Sequence, residues 1–507
     1  MYDKINLAVQ CGTSLSPSFT SKVGVRQGDN LSPTLFNIFV NDIPALFDDC
    51  CKPALFGKLK LSCLLYADDV VILSESEAGA QCAIDKLKSW CNTWGLGINI
   101  SKTKVLCTVQ SEQKLNIHYD NQHIEQVQSF RYLGLNIDPS CSFINMKKDL
   151  ASRASKVYFK IIKTFKFSPH IDIILNLFDH MVKPILSYGS EIWAISDVKL
   201  NTTKLPQDTR AEFFYDLKAK CPILSTFIEK EDPCESLHLK FLKNVLGVHQ
   251  KNANLGVFYE MGRFPIIIDQ IIQSVKYFYR LKFQTENQLL HDFCEESRLD
   301  NKLLGSCNLF KFVNQVHAIY NKPMACNIKS VDRTIYSIKK SLQQEFIYYC
   351  TQLINTEYSK TNKDCGNKLR TYCSFKKTFS KEKYLTLIDP QNRIALSRLR
   401  LSAHKLYIET GRYNSKNHYV KPSDRICSLC TMNMCEDEIH FLTTCPLYNT
   451  LREKLYLTIS ELNPHFMLYN SEQKFLWLMT TEDTKSLLNI ANYVRSAFHL
   501  RDQMLHK

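Results

Sequence analysis

Two apolar runs frame a charged tip at residues 64–73: Leu64-Leu65-Tyr66 on one side and Val70-Val71-Ile72-Leu73 on the other, with Ala67-Asp68-Asp69 between them. Short runs rich in Val, Ile and Leu that are bounded by turn residues read as buried strands, so the pattern predicts a hairpin with both carboxylates on one rim. Upstream, the polar loop Gly24-Val25-Arg26-Gln27-Gly28-Asp29-Asn30-Leu31 leads into a helix over residues 34–43. Ser32 is its expected cap and Pro33 its opening residue, Phe36, Phe39, Val40 and Ile43 form the apolar stripe, and Pro44 stops it. Downstream, Ala83, Ile84, Leu87, Trp90, Cys91 and Trp94 recur at helical spacing, which makes the two tryptophans core residues rather than stacking platforms. Residues 145–196 interleave Lys147, Lys148, Arg153, Lys156, Lys160, Lys163 and Lys166 with Tyr158, Phe159, Phe165 and Phe167, the pattern of a helix with one basic and one apolar face. Residues 197–234 carry Pro206, Pro222 and Pro233 with weak periodicity and read as a linker or insertion. Helical patterns return over residues 235–283, where Gly247 and Gly262 punctuate the runs, and over 309–320 and 335–353. Residues 393–412 read as a basic amphipathic helix.

With 507 residues, 45% of them hydrophobic, the chain buries a large core. Length alone suggests roughly two to four domains. Lys and Arg exceed Asp and Glu by 14, which favours a polyanionic partner. The distribution sharpens this. Residues 1–100 hold ten acids against eight bases, whereas residues 147–166 hold seven bases and one acid, so the positive wall lies apart from the carboxylate rim. Residues 331–383 are basic again, with eleven bases against five acids. The 20 cysteines are scattered and no signal-type segment opens the sequence, which points to a reducing compartment inside the cell, cytoplasm or nucleus. The most apolar stretch, residues 171–195, is broken by Asp172, Asp179, Lys183 and Glu191, so no membrane span is expected.

Two constellations carry candidate chemistry. Asp68 and Asp69 on one rim form a site for Mg²⁺, which takes one or two carboxylates and completes its octahedron with phosphate oxygens and water. The loop before residue 34 offers free glycine N–H groups, the Arg26 guanidinium and the Gln27 carboxamide beside Gly28, a set able to hold a nucleotide or a template strand. In the second constellation, Cys427 and Cys430 are followed by His440 and Cys445, a Cys-x₂-Cys before His-x₄-Cys pattern that fits one structural Zn²⁺, with Cys435 as an alternate ligand.

In order along the chain, the loop at 24–33, the Tyr66-Ala67-Asp68-Asp69 hairpin, the segment Gly95-Leu96-Gly97-Ile98-Asn99-Ile100-Ser101-Lys102 and the segment Phe130-Arg131-Tyr132-Leu133-Gly134-Leu135 closely resemble motifs B, C, D and E of reverse transcriptases of non-LTR (LINE-type) retrotransposons. Tyr188-Gly189-Ser190-Glu191-Ile192-Trp193 and the terminal Cys/His pattern are also similar to segments of that family. The resemblance implies that Asp68 and Asp69 are metal-binding palm aspartates. It further implies that Arg26, Gln27, Gly28 and Tyr66 sit against template and incoming nucleotide. Lys102 becomes a candidate proton donor to the pyrophosphate leaving group, against the simpler reading of a surface lysine. The fourth segment would be the primer grip. One departure stands at the front: motif A and the fingers are expected to be missing, and Asp3 does not replace the motif A aspartate.

The expected fold class is α+β: a partial right-hand palm over 1–144, a helical thumb over 145–196, a linker or insertion over 197–234, a helical basic linker domain over 235–392 and a zinc module over 393–507. The family implies an RNA-directed DNA polymerase with RNA, DNA and dNTP as partners. This chain is expected to be catalytically incomplete, with Lys156, Lys160 and Lys163 on the nucleic-acid backbone. The alternative is a non-catalytic nucleic-acid-binding protein derived from a retrotransposon.

Overall fold

A computed structural model describes residues 5–21, 24–108, 114–140, 142–165, 170–196, 216–225, 232–284, 286–299, 309–355 and 369–505. Asp3, Lys166, Phe167 and Pro206 lie outside the described residues. The architecture is α+β, with two compact units: Met1–Ser142 with Thr285–Gly305, and Phe143–Gln284 with Ser306–Lys507. Among the described residues, strands pair only as two-stranded antiparallel ribbons.

In the first unit, strands β1 (Ile5–Leu7) and β2 (Phe19–Ser21) pair ahead of the Gly24 loop. Helix α1 (Ser32–Phe39) follows. Ser32 does not cap it: Leu31 holds the cap position, and the Ser32 hydroxyl donates to the Arg26 carbonyl at 2.6 Å, tying the loop to the helix start. The helix ends at Phe39, and Pro44 lies inside a short 3₁₀ turn, Ile43–Leu46. Strands β3 (Cys63–Tyr66) and β4 (Asp69–Ile72) form the expected hairpin, with Tyr66 opposite Asp69. Helix α2 (Glu77–Trp94) starts at the Ser76 cap and stops at Gly95 in the left-handed region. One core joins these pieces: Val40, Ile43, Cys63, Ala83, Leu87, Trp90 and Cys91, with Phe36, Leu65 and Ile72 packed against it. Two expectations need correction here. Leu64 and Val70 are exposed, so the hairpin is only half-buried, because its outer face carries no covering layer among the described residues. Trp90 is buried and donates to Asp42 at 3.0 Å, but Trp94 is half exposed at the end of α2. A second hairpin, β5 (Phe130–Tyr132) with β6 (Leu135–Ile137), turns through Leu133 and Gly134, both at positive φ.

The second unit is helical apart from isolated bridges. Helix α3 (Ile144–Phe165) buries Met146, Leu150, Ala154, Tyr158 and Ile161 against α4 (Pro233–Leu246). Helix α5 (Ile266–Gln284) packs against α6 (Ile328–Asn355). The described part of 197–234 is not a free linker. Leu217 and Cys221 bury against Tyr349, and Glu345 of α6 accepts the backbone N–H groups of Ile223 and Leu224 at 3.0 and 2.7 Å. The basic helix expected over 393–412 is instead α7 (Pro390–Arg400) and a short turn, Tyr407–Thr410. Two of its three arginines point inward: Arg393 and Arg400 are buried while Arg398 is exposed, and Arg400 pairs with Glu260 at 2.5 Å and Glu382 at 2.8 Å. Helices α8 (Asn449–Leu462) and α9 (Thr484–Leu505) close the unit.

Candidate functional site

The tip of the β3–β4 hairpin places Asp68 and Asp69 in solvent, with Tyr66 beside them, also exposed. The turn is tight because Ala67 takes φ +50°, a left-handed backbone that leaves only two residues between the paired Tyr66 and Asp69. A left-handed residue other than Gly, Asn or Asp is unusual and points to a constrained tip. Sequence inspection missed one neighbour. Tyr132 of the second hairpin is partly buried, and its phenol is pushed up first by that burial and then by the charge of Asp69. Tyr132 therefore lies near enough to Asp69 to feel its charge. Among the described residues, no third Asp, Glu, His or Cys joins Asp68 and Asp69 in a metal-sized group.

Arg26, Gln27 and Gly28 lie exposed on the loop before α1. Gly28 at φ +86° makes the turn that an L side chain would strain. Asp29 Oδ1 accepts the Leu31 N–H at 2.9 Å, so the loop is stapled to the helix while its guanidinium and carboxamide remain free to reach outward. Lys102 is exposed, in a turn and not at a strand end: its N–H donates to Asn99 O and Asn99 Oδ1, both at 3.2 Å. No described contact links Lys102 to the Asp pair.

On α3 the basic face divides. Lys156, Lys160 and Lys163 are exposed at spacings of four and three residues, so they share one solvent stripe. Lys147 belongs elsewhere. It is 1% exposed, its ammonium lies 2.8 Å from Asp232 and 5.0 Å from the Trp193 ring centroid, and it is a buried structural charge.

The terminal constellation converges. One ligand atom from each of Cys427, Cys430, His440 and Cys445 lies within 4.8 Å of the others. A bridge between Ile426 and Cys435 and a turn at 428–429 bring Cys430 back toward Cys427. A π-helical turn, His440–Thr444, brings His440 and Cys445 to the same point. Thr444 Oγ1 lies 2.9 Å from His440 Nδ1, which fixes the ring and leaves Nε2 facing Cys430 Sγ at 3.4 Å. Such support behind a ligating imidazole is usual at metal centres. Burial pushes the Cys427 thiol up to about 12 and holds His440 below its ordinary value. Buried thiols that resist ionisation, beside a neutral imidazole, suit a soft cation that would stabilise the thiolates. Cys435 does not join them, because its thiol donates to the Pro422 carbonyl at 3.1 Å. Buried ion pairs seat the segment: Arg501 on Glu436 at 2.7 and 2.8 Å, and Arg370 on Glu438 at 2.7 Å. Arg452 donates to the Cys445 carbonyl at 2.6 Å.

Residues 4–137 match the family model described as reverse transcriptase (RNA-dependent DNA polymerase). The match begins ahead of the Gly24 loop and takes in the β1–β2 pair, in conflict with the expectation that the fingers are absent. The chain is 25% identical over 202 residues to the probable RNA-directed DNA polymerase from transposon X-element of Drosophila melanogaster, covering 37% of this chain and 21% of that protein. It is 23% identical over 184 residues to the RNA-directed DNA polymerase from mobile element jockey of the same species, 34% of this chain and 19% of that protein. It is 30% identical over 145 residues to the Pol polyprotein from type-1 retrotransposable element R2 of Nasonia vitripennis, 26% of this chain and 14% of that protein. The chain spans about a fifth of the length of the first two relatives. Among the described residues, no helix is long and apolar enough to cross a membrane. The family match and these relatives together support a reverse transcriptase domain over residues 4–137, of the kind found in non-LTR retrotransposons.

Proposed function

We propose that this chain is the palm and thumb portion of an RNA-directed DNA polymerase, followed by a helical nucleic-acid-binding region and a structural zinc site. The observation that carries the reading is the exposed Asp68–Asp69 pair at a tight hairpin tip, with Tyr132 of the second hairpin near enough for the Asp69 charge to raise its phenol. In this reading Asp68 and Asp69 hold Mg²⁺, which when bound supplies positive charge to the attacking and leaving oxygens of phosphoryl transfer. The chain's own residues orient the reactants. Arg26, Gln27 and the Gly28 turn hold template and nucleotide, the β5–β6 hairpin positions the primer end, and Lys102 hands a proton to the pyrophosphate. Cys427, Cys430, His440 and Cys445 hold Zn²⁺ as a closed tetrahedral set, which is structural rather than catalytic.

Two carboxylates from one hairpin under-ligate a two-metal site, so the chain alone is expected to bind primer–template without extending it. Fe²⁺ in place of Mg²⁺ tests the site directly, since peroxide then cuts the backbone beside the bound ion. Cleavage around residues 66–70 and 132, lost in Asp68→Ala and in Asp69→Ala, is the expected outcome. Its absence with primer–template and dNTP present would favour the non-catalytic reading. Primer extension on an RNA template, if seen and lost in the same variants, would show that the chain supplies the missing carboxylate itself.

A further inference from the structure

The solvent face of α6 carries a feature that deepens the nucleic-acid-binding role proposed for this helical region, and the inference rests on that part of the reading. Lys329, Arg333, Tyr336, Lys340 and Gln344 follow at spacings of four, three, four and four residues, and all are exposed. Tyr336 is 68% exposed, which is far more than the packing of its helix demands, because Ile335, Ile338, Leu342 and Phe346 form the buried face. Among the described residues none of Lys329, Arg333 and Lys340 is ion-paired. The neighbouring Lys339, by contrast, is engaged with Asp269 at 2.7 Å. That pair at one end, and the Ala325 N–H on the Tyr279 hydroxyl at 3.1 Å at the other, set α5 and α6 antiparallel. Lys276 and Arg280 of α5, both exposed, therefore stand toward the same end of the pair as Lys329 and Arg333. Asp332 is the one exposed acid of α6 within the span from Lys329 to Lys340.

We propose that this face is a track for single-stranded nucleic acid, with Lys329, Arg333 and Lys340 on successive phosphates and an unstacked base on the Tyr336 ring. The span from Lys329 to Lys340 is about 16 Å along the helix, the reach of a few nucleotides. An unpaired cationic row attracts any polyanion. The bare aromatic ring between the cations selects a single strand, whose bases have a free face, over a duplex, whose bases do not. The proposal is independent of Asp68 and Asp69 and of the thumb lysines, so it is tested apart from them.

The test uses the full chain and labelled oligouridylate and oligothymidylate of about fifteen nucleotides, within the site sizes of single-strand binders. Binding is read by anisotropy against salt, both in the native chain and in a background with Lys156, Lys160 and Lys163 changed to Glu. Tyr336→Ala is expected to weaken binding by about five- to a hundredfold, and Tyr336→Phe to retain it. Arg333→Glu with Lys340→Glu should flatten the slope of log affinity against log salt by about 1.4, at about 0.7 per phosphate of a single strand. A 5-iodouridine strand should photocrosslink to Tyr336. Loss with the uridine strand alone assigns RNA, loss with the thymidine strand alone assigns DNA, and loss with both assigns their shared backbone and base faces. All these positions are exposed, so circular dichroism should show the helix intact. Unchanged affinity and slope in folded variants, with no crosslink at Tyr336, would overturn the proposal.

Discussion

Glu345 shows what one side chain does when its environment opposes its charge. It is buried, and it accepts the Tyr320 hydroxyl together with the N–H groups of Ile223 and Leu224. Burial raises its pKa, and the three hydrogen bonds only partly offset this. In the folded chain the proton therefore stays on to a higher pH than in the unfolded chain. The resulting stability is fully present below the ordinary carboxylate value and is lost as pH rises through the raised one. Glu345→Gln keeps an acceptor for both N–H groups and has nothing to ionise. Thermal unfolding from pH 4 to pH 8 should show the native chain losing stability relative to this variant as pH rises. A constant difference between the two across that range would mean that Glu345 titrates normally. Glu345→Leu should be worse at every pH, by about 1–3 kcal/mol for each buried N–H left unmet.

At the scale of the element, α3 shows that a basic helix has two kinds of lysine. Lys156, Lys160 and Lys163 share an exposed stripe, and reversing all three to Glu is expected to weaken binding to a primer–template duplex and to flatten its salt dependence by about 0.9 per lost phosphate contact. Melting temperature should barely move, as is usual for exposed substitutions. Lys147 predicts the reverse pattern. Removing its ammonium leaves Asp232 without its partner beneath the start of α4, where Asp232 also caps the helix by accepting the Cys234 and Glu235 N–H groups. Breaking such a pair costs about 3–5 kcal/mol, so Lys147→Ala should unfold at lower denaturant while any folded fraction binds nucleic acid as before. If the triple reversal leaves affinity and salt slope unchanged, α3 is not a binding surface.

At the scale of the molecule, the Cys/His segment is a shared part of the second unit. Tyr493 of α9 donates to the Phe441 carbonyl at 2.9 Å, Phe441 stacks on Phe498 at 4.6 Å, and Arg501 holds Glu436. Metal loss should therefore loosen α9 as well as residues 426–445. Hydrogen exchange after chelation is expected to rise in both, with strands β3 and β4 of the first unit unaffected. One zinc per chain should be found by metal analysis, lost in Cys430→Ser and kept in Cys435→Ser, because the Cys435 thiol is turned to Pro422. Zinc lost in the Cys435 variant alone would reassign the ligands.

The sequence by itself determined the features that local pattern controls: the Asp68–Asp69 hairpin tip, the apolar face of the α2 helix, and the pairing of Cys427-x₂-Cys430 with His440-x₄-Cys445. Each depends on spacing within about twenty residues, where backbone geometry leaves few alternatives. Tertiary structure decided which charges face water. Lys147, Arg393 and Arg400 read as members of basic faces, yet all three are buried; Lys147 pairs with an acid 85 residues away, and Arg400 with Glu260, 140 residues away, as well as with Glu382. It also turned the alternate ligand Cys435 away to Pro422, and it brought Tyr132 within reach of the Asp69 charge. A hydrophobic period fixes which way a helix turns its apolar side, but the desolvation cost of a charge is settled only by a partner that the fold brings to it.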